Sequence, residues 1–169
     1  AVRQRVGVFD VSHLGTIRVE GPGAMDAVNR CLSNDLGKIR PGKAQYTLCC
    51  DDATGGVVDD MIVYVRSRSA LLLVPNCANS TEVVRLLRAA APSEVTIIDH
   101  HRQEAIIAVQ GPRSGDVLAA LGLPAPDEYM AFEETTWAAT PLTVCRSGYT
   151  GELGFELVLD AAAAPPLWH

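Results

Sequence analysis

An α+β fold of two similar lobes, each an antiparallel sheet with helices packed on one face, is predicted by three features of this 169-residue chain. A segment recurs: Ile17-x-Val19-x-Gly21-Pro22-x3-Asp26 and Ile107-x-Val109-x-Gly111-Pro112-x3-Asp116 match at a constant offset of 90, and Val28/Leu118 with Cys31/Leu121 continue the apolar face. Such self-similarity marks two related strand-helix-strand units. Helices stand between strands that are otherwise joined as hairpins, which favours antiparallel sheets with helices on one side over a parallel doubly wound sheet. A hydrophobic content of 48% over this length allows a sizeable buried core, as one domain or two small lobes.

Each element has its own signal. Val6 to His13 is expected to be an extended, half-buried segment that starts abruptly, with no lead-in of its own. Ile17 and Val19 alternate with Thr16, Arg18 and Glu20, as in a strand with one wet face, and Gly21-Pro22 ends it. Pro22 opens a helix whose Met25, Val28, Cys31 and Leu32 share a face, with Asn34 and Gly37 as its stop. Residues 44–50 and 57–65 make a hairpin around the polar turn Asp51 to Gly56. Ala70 to Val74 is a further strand. Asn79 then caps a helix, with Glu82 completing a capping box, Val83, Leu86, Leu87 and Ala90 as the inner face, and Pro92 as the end. Glu94 to Asp99 and Glu104 to Gln110 are strands, Gly111-Pro112 opens the next helix, and Gly122 closes it. The loop Leu123 to Phe132, rich in Pro and acids, is the natural hinge before the closing strands.

Charge and cysteine usage exclude several function classes. The net charge is −6, and only Lys38 and Lys43 among the 14 basic residues are lysines, so there is no basic field for a nucleic-acid backbone. Cys31, Cys49, Cys50, Cys77 and Cys145 are odd in number, sit mostly in apolar runs and show no paired Cys/His spacing; buried thiols in a reducing compartment are expected. No stretch approaches the roughly 20 apolar residues of a membrane span, and no signal pattern is present, so the cytoplasm is the expected location.

The chemistry candidates are carboxylates. Ser147 to Glu156 carries three glycines in seven residues, Gly148 to Gly154, beside two acids and two aromatics. Glycine inside a strand marks a bulge or a place where a ligand or another backbone comes close. Glu156, among Phe155, Leu157, Val158 and Leu159, is either the solvent-facing member of an alternating strand or a carboxylate set against a ligand. Asp59 and Asp60 are adjacent in a strand, so one points to the core side unless a bulge or strand end turns both to water. A carboxylate in an apolar surround can have its pKa raised for proton transfer, or can stabilise a cation.

Other candidates fail on pattern. Adjacent Ser12 and His13 on one strand cannot form a nucleophile and base chain, and no G-x-S-x-G elbow is present. His100-His101 lacks partners at metal-ligand spacing, so no metal is expected. The glycine-rich phosphate loops are absent.

Five runs taken together carry a resemblance: Val8 to Gly15, Pro41 to Leu48, Gly55 to Asp60, Ala108 to Pro112 and Gly148 to Glu156. In this order, over nearly the whole chain, they resemble the tetrahydrofolate-dependent aminomethyltransferases, the T proteins of the glycine cleavage system, and the Arg-over-Lys, Ala-rich composition resembles actinobacterial members. The resemblance implies the T-protein folate-binding fold with a cleft between lobes, divided at about 1–50 with 133–169 and about 51–132. It implies that Glu156 pairs with the pterin through two parallel donors, and that Asp60 is the catalytic aspartate beside the reacting folate nitrogens. Tyr46 and Tyr149 match aromatic positions lining the folate, and Leu14, Val74 and Asn76 match further contact positions. Leu14 stands where the family usually has methionine, an apolar exchange. Leu153 stands where it usually has aspartate, which puts the local turn in question.

Family members also carry an N-terminal lead-in and a second half that hold an arginine and a tyrosine of the site; by that standard the chain is a fragment, the folate-binding half. The reaction implied takes a one-carbon unit from the aminomethyl group on the lipoyl arm of the carrier H protein, giving methylenetetrahydrofolate and ammonia, with Asp60 stabilising an iminium-like cation. Two alternatives share the fold: the folate domain of a sarcosine or dimethylglycine dehydrogenase, and a non-enzymatic folate-binding module. The latter carries a Lys-Gly-Cys-Tyr motif that this chain lacks around Cys145 to Tyr149.

Overall fold

The computed structural model describes residues 1–169. They form two units, one of residues 13–101 and one of residues 1–12 with 102–169. These boundaries differ from the expected division near 50 and 132, and strand pairing is the reason.

In the first unit, β2 (Ile17–Glu20), β3 (Lys43–Cys50), β4 (Val57–Ser67), β5 (Ala70–Val74) and β6 (Thr96–Asp99) form one antiparallel sheet in the order β3-β4-β5-β2-β6. A boundary near residue 50 would cut the β3-β4 hairpin and part β2 from its sheet neighbour β5. The face carrying Ile17, Val19, Met61, Val63, Val65, Leu71 and Leu73 packs with Met25 and Val28 of α1 (Ala24–Arg30) and Val83 and Leu87 of α2 (Ser80–Ala90). Helix α1 stops earlier than expected. The chain after Cys31 is drawn to the edge of β3, where Leu32 bridges Cys49 and the Ser33 N–H donates to the Leu48 carbonyl at 2.8 Å.

In the second unit, β1 (Gly7–Asp10), β7 (Glu104–Gln110), β8 (Phe132–Trp137), β9 (Thr140–Cys145) and β10 (Gly154–Asp160) form a sheet in the order β1-β7-β10-β9-β8. Leu118 of α3 (Ser114–Ala120) and Leu167 of the short α4 (Ala164–Trp168) pack on the face that carries Ile107, Val109, Leu142, Val144, Phe155, Leu157 and Leu159. The loop after α3 leads into β8 within this unit, as expected. Strand β1 is extended, but Val8 and Phe9 are each 41% exposed, because β1 is an edge strand.

The recurrence has a structural counterpart. Gly21 (φ 118°) and Gly111 (φ 130°) both end an inner strand and turn into a helix. A Cβ at Gly21 would lie 2.1 Å from the Glu94 carbonyl oxygen, and one at Gly111 would lie 2.4 Å from that of Arg5. Only glycine fits either turn.

Of the cysteines, Cys49 and Cys145 are buried, Cys31 and Cys50 are half-buried, and Cys77 is exposed, contrary to expectation. Burial pushes the Cys49 thiol up to about 11. No helix is long and apolar enough to cross a membrane.

Candidate functional site

The Asp59-Asp60 pair lies near the start of β4. A tight turn leads into it: the Asp51 carboxylate accepts from the Thr54 N–H at 2.9 Å and the Thr54 hydroxyl at 2.8 Å, and the hydroxyl bond above all holds the Asp51 carboxyl below its ordinary pKa. Register shifts between Cys49 and Cys50 opposite this point, yet the alternation of β4 survives. Asp59 is the member that shares a face with Met61 and Val63, and it is 2% exposed. Asp60 lies on the other face, half-buried.

What compensates the buried acid is the 3-10 turn Cys77–Asn79 after β5. Asp59 Oδ2 accepts the Asn76 backbone N–H at 2.9 Å, and Asp59 Oδ1 accepts the side-chain amides of Asn76 at 3.0 Å and Asn79 at 2.7 Å. The expected capping box at α2 is therefore absent: the Asn79 side chain is spent on Asp59, and Glu82 pairs with Arg85 at 2.6 Å.

Asn76 also reaches Asp60, its Nδ2 lying 3.0 Å from the Asp60 carbonyl oxygen and 3.1 Å from Asp60 Oδ1. The other Asp60 oxygen, Oδ2, accepts the Tyr46 hydroxyl at 2.8 Å. That bond is the largest of the effects that raise the Tyr46 pKa, and Tyr46 stays 45% exposed. Tyr46, Ile62 and Val74 form a row of register partners across β3, β4 and β5. Leu14 is half-buried beside the end of that row, since the Gly15 N–H donates to the Pro75 carbonyl at 2.8 Å and the Leu14 carbonyl lies 3.1 Å from His101 Nδ1. A Cβ at Gly15 would meet Ser80 Oγ at 2.6 Å and Pro75 Cγ at 2.9 Å, so glycine permits this approach. The unit of residues 13–101 thus assembles Leu14, Tyr46, Asp60, Val74 and Asn76.

Glu156 and Tyr149 belong to the other unit. Glu156 sits in β10, an inner strand, opposite Ala108 of β7 and Cys145 of β9. It is 6% exposed, so it is not a wet-face acid. The Ser147 hydroxyl donates to Glu156 Oε2. Tyr149, two residues on, is 65% exposed.

Two of the three glycines of this run, Gly148 and Gly154, are explained by a protein side chain. Gln110 is buried; its Nε2 donates to the carbonyls of Ser147 and Phe155, each at 3.1 Å, and its Oε1 accepts the Thr150 hydroxyl at 2.8 Å. A Cβ at Gly148 or Gly154 would fall 2.2 to 2.3 Å from that amide. The turn at Leu153 is held by its backbone carbonyl, which accepts the Gly111 N–H at 2.6 Å, a bond indifferent to whether the side chain is leucine or aspartate. Arg3 adds a bond to the Thr150 carbonyl at 2.7 Å and a pair with Glu152 at 3.0 Å.

Sequence reasoning missed Asp59 as a hydrogen-bonded hub, and with it Asn79, Ser147 and Gln110. Ser147 and Gln110 lay inside the runs already singled out, but nothing in their spacing reveals which atoms they meet. The spacing of Asn79 points to a helix cap, the commoner use of asparagine before a helix.

Comparison with known proteins gives the fold a family. The chain matches the family model described as the GCVT N-terminal domain over residues 1–169. It is 58% identical over 168 residues to the aminomethyltransferase of Parafrankia sp. (strain EAN1pec), covering 99% of this chain and 46% of that protein. It is 55% identical over 158 residues to the aminomethyltransferase of Mycobacterium tuberculosis (strain ATCC 25618 / H37Rv), covering 94% of this chain and 43% of that protein. The crystal structure of the glycine cleavage system aminomethyltransferase T from Bartonella henselae superposes with a TM-score of 0.89 at 31% identity, over 99% of this chain and 45% of that one. A heterotetrameric sarcosine oxidase from Corynebacterium sp. U-96 shares the fold alone, with a TM-score of 0.71 at 16% identity, over 98% of this chain and 80% of that one. The chain spans about half the length of the curated relatives it matches. Two antiparallel sheets with helices on one face of each, matched from end to end by one family model, place the chain in the GCVT N-terminal domain family.

Proposed function

We propose that these residues form the folate-binding part of a cytoplasmic aminomethyltransferase of the glycine cleavage system. Its substrates are tetrahydrofolate and the aminomethyl group carried on the lipoyl arm of the H protein. The observation that carries the reading is the Asp60 carboxylate, each of whose oxygens is gripped by a neutral donor, Tyr46 on one and Asn76 on the other, while the group stays half-buried. An anion so held suits charge stabilisation, because it needs no reorganisation when positive charge develops nearby.

The donor set fits a reduced pterin. Glu156 is a buried carboxylate with Ser147 as one partner, able to accept two parallel N–H groups. Tyr149 and Tyr46 offer exposed rings for a flat heterocycle, and Leu14 and Val74 offer apolar contact. The folate supplies the nucleophilic nitrogens. In the overall transfer the methylene loses its bond to nitrogen, releasing ammonia, and its bond to sulfur, leaving the lipoyl thiol. Two carbon–nitrogen bonds to folate replace them, and the two protons displaced from folate leave on ammonia and the thiol. Asp60 stabilises the positive charge on the methylene as ammonia departs, and Glu156 fixes the pterin so that attack begins from a near-reactive geometry. The names and identities of the actinobacterial relatives support this over the dehydrogenase alternative, and the sarcosine oxidase shares the fold alone.

The test is tetrahydrofolate-dependent release of ammonia from aminomethyl-lipoyl H protein by the full-length protein that carries these residues. Release in proportion to enzyme is expected. Tetrahydrofolate binding without transfer would overturn the reading in favour of a binding module.

A further inference from the structure

We propose that Asp59 is a positioning residue that acts through Asn76 to hold the Asp60 carboxylate in its working orientation. The inference rests on the assignment of charge stabilisation to Asp60.

A fully buried carboxylate is expensive unless several donors compensate it, and a chain that wanted only a strand here would place an apolar residue at position 59, as it does at 61, 63 and 65. Instead Asp59 collects three N–H groups, two from Asn76 and one from Asn79. By binding both the backbone and the side chain of Asn76, it fixes that residue's main chain and its χ angles together. The amide so fixed is the one that reaches Asp60 Oδ1 at 3.1 Å and the Asp60 carbonyl at 3.0 Å.

One Nδ2 thus serves acceptors from both carboxylates. Its two hydrogens are shared among three oxygens, so their distribution depends on the charge of Asp59. Asp60 Oδ2 is steadied separately by Tyr46, a partly exposed side chain on a neighbouring strand. The rigid half of the grip on Asp60 is therefore the half that leads back to Asp59. Asp59 is buried and its hydrogen bonds run to Asn76 and Asn79, which makes it a positioning rather than a catalytic residue.

The roles separate in a double-mutant cycle in the full-length protein, with Asp59→Asn, Asp60→Asn and the pair, measuring turnover, KM for tetrahydrofolate and thermal midpoint. Asp59→Asn keeps the shape but turns an amide against at least one of its donors. Its turnover is expected to fall about 10- to 100-fold, as for a small misplacement of a reacting group, with KM for tetrahydrofolate changed less than about threefold. On the Asp60→Asn background the same substitution is expected to cost turnover almost nothing more, because the group it positions is gone. Asn79→Ala removes one donor to Asp59 without touching Asp60, and it is expected to give a smaller fall of the same kind; it answers the question if Asp59→Asn does not fold.

Additive losses in the pair, or a stability loss without a turnover loss in either variant, would overturn the positioning role while leaving Asp60 its own. An Asp60→Asn variant with full turnover would instead remove Asp60 from the mechanism, and the inference with it.

Discussion

Gly154 and Gln110 approach so closely that a Cβ on the glycine would lie 2.3 Å from the amide carbon of the glutamine. Gly148 stands against the same amide. The pair explains why the strand that carries Glu156 begins with a residue that weakens strands. Gly154→Ala is expected to lower stability by about 1–3 kcal/mol through overpacking. On a Gln110→Ala background the same substitution should cost nearly nothing, since the obstructing side chain is gone. Urea midpoints of the four proteins check this, and equal losses on both backgrounds would show that the glycine serves another need.

How much was legible follows from where each signal resides. The strand-helix repeats were visible because their apolar periodicity and Gly-Pro turns are local, and β5 and β7 fall where alternation placed them. The unit boundaries were not visible, because the order β3-β4-β5-β2-β6 depends on pairings between residues far apart in sequence. Asp59 and Asp60 were recognisable as a pair, and strand alternation required one to face the core, but it could not say which. That choice goes with Asn76 and Asn79, which lie 17 and 20 residues away in sequence and meet Asp59 through the β4-β5 pairing. For Glu156 the spacing favours a wet face over a ligand contact, wrongly, since burial on both faces of an inner strand leaves no alternation to read. Its 6% exposure rules out the wet face.

The β8-β9 hairpin shows a different kind of silence. Its two-residue turn is Ala138-Ala139, with φ of 46° and 65°, a conformation normally flagged by Asn-Gly. Alanine in the left-handed region is strained, at roughly 1–2 kcal/mol per residue. The double substitution Ala138→Asn and Ala139→Gly is expected to raise stability by about 1 kcal/mol, read as a higher urea midpoint with an unchanged slope. A lower midpoint would mean that the alanine methyl groups make packing contacts that outweigh the backbone strain.

Glu156 should carry folate affinity. Glu156→Ala in the full-length protein is expected to weaken tetrahydrofolate binding by about 2–4 kcal/mol, as when a buried charged acceptor is lost from paired donors. Ser147→Ala, which removes one partner of Glu156, should weaken it less. Equilibrium titration of both variants decides the matter, and an unchanged dissociation constant for folded Glu156→Ala would withdraw the residue from the site.

Tyr46 offers a pH test of the Asp60 contact. Its pKa is raised, first by the hydrogen bond to Asp60 and then by desolvation and the charges of Asp60 and Asp59. For a group whose folded pKa is raised, the stabilisation is fully present below the unfolded pKa, near 10 for tyrosine, and is lost as pH rises through the folded value. Ring-labelled tyrosine spectra should therefore show Tyr46 ionising later in the folded wild type than in the urea-unfolded chain. In Asp60→Asn the delay should shrink, because the accepting anion is gone. A Tyr46 titration indifferent to that substitution would mean that the hydroxyl does not rest on Asp60 in solution.

The decisive variant is Asp60→Asn itself, which preserves shape and removes the anion. If Asp60 stabilises charge as ammonia leaves, turnover should fall about 10²–10³-fold, the loss typical of one electrostatic stabiliser, while the dissociation constant for tetrahydrofolate barely moves. A structural acid would behave otherwise: turnover would hold, and at most about 1 kcal/mol of stability would be lost. Alternation along β4 first suggests Asp59→Asn as an inert comparison, but its buried hydrogen bonds make it unsuitable. Tyr46→Phe is the better one, since it removes one donor to Asp60 and leaves the charge in place. It should lower turnover by less than about tenfold. Measured side by side, a large loss in Asp60→Asn with a small one in Tyr46→Phe assigns the effect to the charge. Equal small losses would assign Asp60 to the architecture of the strand end alone.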